Sequence, residues 1–406
     1  MRLGLLVVFP RVARRVLLVV CALELWAVIA VGPAVGQRLK LSASLSDLEA
    51  RARTDSNDAA AHYNVALAYW NAKRWDDAGR SLRLAVTIDP RFAQAYLALS
   101  RLPYARRGAL WDEVERARVP KELTDTVEES DRFYRRAYLI DPLVDMKIEG
   151  AVAPPRSVYW DLFDPEGYDL FYRGFDDLRE GKYPDALDRL DRLLGLFRRD
   201  RHDEGLPAGL LWYRAVASAH VEKYDQAQRD LDELLARAEH QERSDSLIRV
   251  PLRTNEFRYV LAYVEQRGNN PNRAIFLYRQ AIENDVGLYM AHVRLAEIYE
   301  GAQRWDQAVE HRQNAVNANP DDPSLLLDLG RTLASAGRLA EALDPLQQAA
   351  DANPRDSRVY FYLGLVLEQA GKKAEARAAL TRFTSLAPSR YDRQITIARQ
   401  HLAGLQ

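Results

Sequence analysis

Apolar residues recur at steps of three and four along most of the chain, which is the spacing that lines one face of an α-helix. The segment 323–354 shows the pattern clearly. Its apolar positions at these steps are Leu326, Leu329, Leu333, Leu339, Ala342, Leu346 and Ala349. Gly337 interrupts the pattern, and Pro354 ends it, because proline cannot continue a helix. The segment therefore predicts two helices joined by a tight turn.

The same helix–turn–helix unit returns at a fixed period of 34 residues. The alanines that mark it are Ala274, Ala308, Ala342 and Ala376. Within one unit, Gly330 and Ala342 occupy the places where two antiparallel helices would cross closely, and a larger side chain there would overpack at a cost of about 1–3 kcal/mol. One unit cannot bury its apolar face alone, so neighbouring units must stack. The period predicts an all-α solenoid.

The repeat has a recognisable consensus. From residue 289 to residue 388 it consists of an aromatic or aliphatic residue, Leu-Gly/Ala, Tyr, Gly-Arg/Lys-Tyr/Trp, Ala, Ala and Pro, and an N-terminal copy reads AHYNVALAYWNAKRWDDAGRSLRLAVTIDP. This pattern resembles the tetratricopeptide repeat (TPR) family. The resemblance implies a right-handed α-solenoid of antiparallel helix pairs, whose ligands lie along a concave face lined by the fifth, ninth and twelfth residues of each unit.

About eight units are predicted, and their spacing divides the chain. Ser100 and Ser130 hold equivalent small-residue positions of the second unit, but they lie 30 residues apart where a regular unit has 12. An insertion therefore splits that unit. The predicted segments are a linker or leading helix at 37–56, N-terminal repeats at 57–142, a Pro- and aromatic-rich insertion at 143–166, a regular solenoid at 167–388 and a capping helix at 389–406.

The first 36 residues have the layout of a secretory signal. Four arginines precede an almost wholly apolar run at 16–31, and small residues at Ala34 and Gly36 suit a signal peptidase. We predict cleavage after Gly36. An uncleaved membrane anchor is the alternative, although the apolar run is shorter than the roughly 20 residues needed to span. Either reading predicts an exported, periplasmic or secreted protein, similar to exported bacterial-type TPR proteins.

Composition narrows the classes of partner. The formal net charge is −1, and removal of residues 1–36 leaves 53 positive and 57 negative side chains, so a nearly balanced surface gives no electrostatic reason to bind nucleic acid. Cys21 is the single cysteine and precedes the predicted cleavage point. The mature chain is therefore expected to form no internal disulfide. Contact with a membrane is expected only through the N-terminal segment, if that segment is retained.

Local marks of catalysis are missing from the sequence. None of the seven histidines has an i, i+4 partner on one helix face, and there is no GxxxxGK[ST], GxGxxG or GxSxG motif. We therefore predict no metal, no cofactor and no enzymatic activity. After residues 57–388 are subtracted, too little chain remains to fold a separate catalytic domain.

The predicted concave positions are rich in rings and aliphatic groups, which provide large contact area at low rotamer cost. The candidate protein-binding residues are Tyr63, Leu67, Trp70, Phe171, Phe175, Trp212, Tyr259, Tyr263 and Phe361. A tightly wound superhelix would instead bury these rings as core, and the sequence leaves both readings open. In the insertion, Tyr159, Trp160 and Phe163 either contact a partner or fill a gap between units.

These features predict a noncatalytic scaffold that binds polypeptide segments in a concave aromatic groove and supports an extracytoplasmic or envelope complex. The alternative is a structural subunit whose aromatic groups are permanently buried in a larger assembly.

Overall fold

The computed structural model describes residues 43–106, 121–144, 165–200, 208–243 and 254–405. These residues form 18 α-helices and one short 3₁₀ helix, with no β-strand among them. The α-helices are α1 Leu45–Thr54, α2 Ala59–Asn71, α3 Trp75–Ile88, α4 Ala93–Arg106, α5 Lys121–Ile140, α6 Pro165–Glu180, α7 Tyr183–Asp200, α8 Ala208–His220, α9 Tyr224–Arg243, α10 Thr254–Arg267, α11 Pro271–Asn284, α12 Tyr289–Gly301, α13 Trp305–Ala318, α14 Pro323–Ser335, α15 Leu339–Ala352, α16 Ser357–Gln369, α17 Lys373–Leu386 and α18 Asp392–Gly404.

Consecutive helices pack in pairs, and each pair packs against the next along the chain. The predicted all-α solenoid is therefore confirmed. Local sequence explains the helix ends: the carboxylates of Asp58, Asp322 and Asp356 cap α2, α14 and α16 by accepting from backbone N–H groups at 3.0–3.1 Å. Gly337 and Gly371 have φ of 77° and 79° in the turns after α14 and α16, a left-handed conformation that glycine adopts at no steric cost.

The small residues lie where the two helices of a unit cross. A Cβ placed on Gly330 would lie 2.5 Å from Cγ of Leu346, and one placed on Gly364 would lie 2.6 Å from Cγ of Leu380. Ala342 is fully buried at the same crossing. The predicted close approach of the paired helices is thus present, and glycine is required for it at these two positions.

The second unit is completed by helices that are distant in sequence. The Ser130 hydroxyl donates to the carbonyl of Ser100, and both serines are buried between α4 and α5. Residues 107–120 of the intervening stretch lie outside the described residues. The two halves of the unit therefore meet at Ser100 and Ser130, the small residues at equivalent positions of the repeat.

Both ends of the array are covered by an extra helix. Leu48 and Ala52 of α1 pack against Ala61 and Val65 of the first unit. At the other end, Ala398 of α18 joins the core of the last units. No helix in the described part of the chain is long and apolar enough to cross a membrane, and the predicted cleavage residues Ala34 and Gly36 lie outside that part.

Candidate functional site at the concave face

The nine predicted groove residues divide by burial. Trp70, Phe171, Tyr259 and Phe361 lie in the hydrophobic core. These four residues fit the interpretation that the rings form core, because other parts of the same chain cover them. Tyr63, Leu67, Phe175, Trp212 and Tyr263 are half-buried. Tyr159, Trp160 and Phe163 of the insertion lie outside the described residues.

Half-buried rings form one pair between α6 and α8 and a second pair between α8 and α10. Phe175 lies edge-on to Tyr213 with ring centroids 5.2 Å apart, and Trp212 lies 6.0 Å from Phe257. We call these four residues the aromatic row. The predicted groove positions include Phe175 and Trp212 but not Tyr213 and Phe257, which lie one residue after Trp212 and two residues before Tyr259.

The N-terminal repeats contact the C-terminal repeats along a polar seam. We call residues 43–144 the N-terminal arm and residues 165–405 the C-terminal arm. The Asn57 amide donates to the carbonyls of Arg355 and Leu386 at 2.9 Å, and the Ser389 hydroxyl donates to Asp55 at 2.7 Å. These contacts place the first unit beside the last units of the array.

Ion pairs extend the seam along both arms. Arg136 lies 2.7 Å from Asp322, Arg91 pairs with Asp328, and the Arg358 guanidinium lies 3.4 Å from Asp89. Asp322 and Asp328 are both buried, so the pairs compensate carboxylates that would otherwise be costly to desolvate. The seam therefore joins the arms by directed contacts rather than by apolar packing alone.

The end of the N-terminal arm contacts α8, α10 and α12. The Tyr259 hydroxyl donates to the carbonyl of Leu139 at 2.6 Å, and Arg294 donates to the carbonyl of Ile140 at 2.6 Å. The His220 ring donates from Nε2 to the carbonyl of Leu143 at 3.0 Å. Three successive units of the C-terminal arm thus supply one donor each to one short stretch of backbone.

Comparison with known proteins supports the repeat assignment. The tetratricopeptide repeat family model matches residues 34–93, 259–323, 293–354 and 327–391, which together cover slightly less than half of the chain. These stretches are tetratricopeptide repeats. The unmatched residues between them contain the units that the spacing shows to be irregular. A search of the curated proteins finds no match.

Several solved structures are similar to this helical array. MamA AMB-1 is 19% identical, with a TM-score of 0.35 over 44% of this chain and 91% of that chain. The C-terminal part of a TPR repeat-containing protein from Cytophaga hutchinsonii is 12% identical, with a TM-score of 0.47 over 58% and 87%. YrrB, described as a TPR protein with an unusual peptide-binding site, is 21% identical, with a TM-score of 0.34 over 42% and 81%.

A buried charge network lies under the seam, between TPR helices α12, α13 and α14. The Arg312 guanidinium is 2.9 Å from Glu300 and 3.1 Å from Asp328, and Arg331 lies 3.3 Å from Glu300. Burial alone would raise the pKa of both carboxyl groups, but the surrounding guanidinium groups hold the pKa of Glu300 and of Asp328 below their ordinary values. Arg91 of the N-terminal arm also pairs with Asp328, so the seam and the network are continuous.

Two histidines that are not close in sequence lie next to each other in the structure. Nδ1 of His292 and Nδ1 of His311 are 3.0 Å apart, so one ring donates a hydrogen bond and the other accepts it. The His311 ring stacks on Tyr299, with the two planes 1° apart. Within the described residues no group of three or more His, Cys, Asp or Glu side chains has the geometry to hold a metal ion.

Protonation of this pair is expected to destabilise the fold. Burial, the neighbouring His292 and the Arg279 guanidinium lower the pKa of His311 to about 4, against an ordinary value of 6.5. A histidine whose pKa falls on folding contributes stability above pH 6.5, and that stability is lost as the pH falls from 6.5 towards 4. After discounting for partial exposure, we expect a loss of about 1 kcal/mol.

Urea denaturation of the wild type and His311→Gln across this pH range checks the prediction. The variant should show a shallower loss of stability on acidification. His240 is exposed in α9, and His240→Gln provides the matched control with a wild-type slope. Equal slopes for the wild type and His311→Gln would contradict the assignment.

Proposed function

We propose that this protein is an exported, noncatalytic scaffold that binds a polypeptide through the aromatic row and supports an extracytoplasmic or envelope complex. The tetratricopeptide fold is typically a noncatalytic scaffold for protein partners. The aromatic row is the observation that carries the proposal for this chain. Its four rings form two contacting pairs, and each ring remains partly exposed.

Paired, half-buried rings suit polypeptide binding for a physical reason. Aromatic side chains offer a large apolar surface and lose little rotamer entropy when a ligand covers them. The two pairs together draw on three successive units, from Phe175 on α6 to Phe257 on α10. An extended or helical segment can therefore contact it at more than one unit.

Substitution of two ring positions tests this assignment. A Phe175→Ala/Trp212→Ala variant should lose most partner binding, because an interface hot spot contributes about 2 kcal/mol, or roughly 30-fold in affinity. The measurement is quantitative recovery of bound proteins from an envelope extract by tagged protein. Circular dichroism must show that the variant remains helical. Unchanged recovery by a folded double variant would remove the aromatic row from the proposal.

A second function is favoured by exposed apolar groups elsewhere. Phe276 on α11 is 59% exposed and Val286 in the following loop is 80% exposed. These groups suit a structural subunit that is permanently covered by a partner. Phe276→Ala separates the two functions, because it leaves the aromatic row intact: loss of partner recovery in this variant alone would favour the structural subunit.

Export rests on the N-terminal pattern and has its own test. We expect the protein recovered from the periplasm or the medium to begin at Gln37, and intact mass spectrometry measures this directly. Recovery of the full-length chain in the membrane fraction would replace cleavage with anchoring. Recovery of the full-length chain in the cytoplasm would contradict export.

A further inference from the structure

The donors by which α8, α10 and α12 contact the end of the N-terminal arm all reach main-chain carbonyls. Tyr259, Arg294 and His220 reach the carbonyls of Leu139, Ile140 and Leu143 at 2.6, 2.6 and 3.0 Å. Every polypeptide carries such carbonyls, so these donors are not specific for the chain's own sequence. They recognise the positions of main-chain carbonyl groups.

Side chains of the same stretch supply apolar anchors. Leu139 and Leu143 are buried in the core cluster that also holds Tyr259 and Leu211. Between the two leucines the backbone turns at Asp141, whose carboxylate accepts from the Leu143 N–H at 3.0 Å. The stretch Leu139–Leu143 therefore presents two apolar groups, four residues apart, on either side of an Asp-Pro turn.

The equivalent turn of the first unit is held in a related way. The Asn353 amide donates to the carbonyl of Thr87 at 2.8 Å, directly before the turn at Asp89. Asp89 itself lies 3.4 Å from Arg358. Two successive turns of sequence Ile-Asp-Pro thus lie against the C-terminal arm, and its side chains contact the backbone of both.

From these contacts we infer that Tyr259, Arg294 and His220 form a polypeptide site that the chain's own stretch Leu139–Leu143 occupies. A partner segment with two leucine-sized side chains four residues apart, around an Asp-Pro turn, binds this site by displacing that stretch. The inference rests on the proposed polypeptide-binding function and specifies its ligand class. It also explains why Tyr259 is buried although its position in the unit is a ligand-binding one.

Displacement has a predictable effect on affinity. An internal ligand competes at an effective concentration in the millimolar range, so a free peptide binds the wild type weakly. Weakening the internal stretch raises the fraction of sites that are free, and the apparent dissociation constant falls in proportion. Leu139→Ala/Leu143→Ala removes the anchors of the internal stretch and leaves all three donors in place.

The experiment uses a labelled peptide with the sequence of residues 137–144, AYLIDPLV, and fluorescence anisotropy on the full chain. We expect the Leu139→Ala/Leu143→Ala variant to bind it at least about 10-fold more tightly than the wild type. Adding Tyr259→Phe, which keeps the ring and removes the donor, should weaken that binding by roughly 3- to 10-fold. A control peptide with serine at both leucine positions should not bind.

Equal affinity for the wild type and the double variant, or no binding to a folded double variant, would overturn the inference. If the double variant does not fold, hydrogen exchange on the wild type decides the question. Saturating peptide should increase exchange of the amides of residues 139–141, 143 and 144, and unchanged exchange there would overturn the site. If neither peptide binding nor amide exchange changes but partner proteins are still recovered, this site alone is rejected. If the peptide displaces the internal stretch but no partner protein is recovered, the proposed function alone is rejected.

Discussion

Replacing Arg312 with methionine should lower the free energy of unfolding by about 3 kcal/mol. Arg312 is 1% exposed and donates to Glu300, Asp328 and Thr332. Methionine has a similar volume but supplies no charge and no donor. Arg331 still faces Glu300, so the expected loss is at the lower end of what removal of one partner from a buried pair costs.

Urea denaturation followed by far-UV circular dichroism measures this loss. Arg80→Met is the matched control, because Arg80 also pairs with an aspartate, Asp77, but is 72% exposed. An exposed pair contributes less than about 1 kcal/mol. Equal stability losses in the two variants would show that the buried network contributes no more to the free energy of unfolding than an exposed ion pair.

Gly330→Ala should destabilise the protein by about 1–3 kcal/mol, although alanine is the better helix former. The added Cβ would lie 2.5 Å from Cγ and 2.9 Å from Cδ2 of Leu346, and 3.2 Å from the carbonyl oxygen of Ala342. Two antiparallel helices of one unit would have to move apart to accept it. Because each unit is stacked on its neighbours, the shift is expected to weaken the adjacent interfaces as well.

Gly195→Ala on α7 separates this packing effect from helix propensity. A Cβ on Gly195 meets no atom within 4 Å, so the substitution should be neutral or stabilising by up to about 1 kcal/mol. Thermal denaturation of both variants compares the two effects. A stable Gly330→Ala protein would mean that the helices of the unit do not cross as closely as described.

The regular part of the fold was predictable because its determinants are local. Four alanines at one period and Gly337 in a turn specify where helices begin, end and cross, and the structure places Gly330 against Leu346 at such a crossing. The repeat also supplies a template that pairs Ser100 with Ser130 across their insertion, and in the structure the Ser130 hydroxyl donates to the Ser100 carbonyl.

The seam was not predictable from the same pattern. Arg91 and Asp328 are 237 residues apart, and neither belongs to the consensus of its unit. The course of the superhelix brings them together, and that course depends on small rotations accumulated over many units. No local sequence pattern specifies the total rotation between the first and last units.

The sequence predicted which positions of each unit are candidate groove residues, but not which of those residues are buried. Counting along the units selected Trp212 and Phe175, which are half-buried, and equally Tyr259 and Phe361, which lie in the core. The difference lies in what covers each ring. Leu139 of the N-terminal arm lies over Tyr259, and a periodic pattern carries no information about a neighbour 120 residues away.

Closure of the N-terminal arm onto the C-terminal arm is the central claim, and disulfide formation tests it most directly. The Asp55 and Ser389 side chains are exposed, 334 residues apart and in contact at 2.7 Å. In a Cys21→Ser background, Asp55→Cys/Ser389→Cys should form an intramolecular disulfide under mild oxidation, seen as a monomer of altered mobility on a non-reducing gel. Asp55→Cys/Val286→Cys should not form one. Free thiols or exclusively intermolecular dimers in the first variant would contradict the closed arrangement.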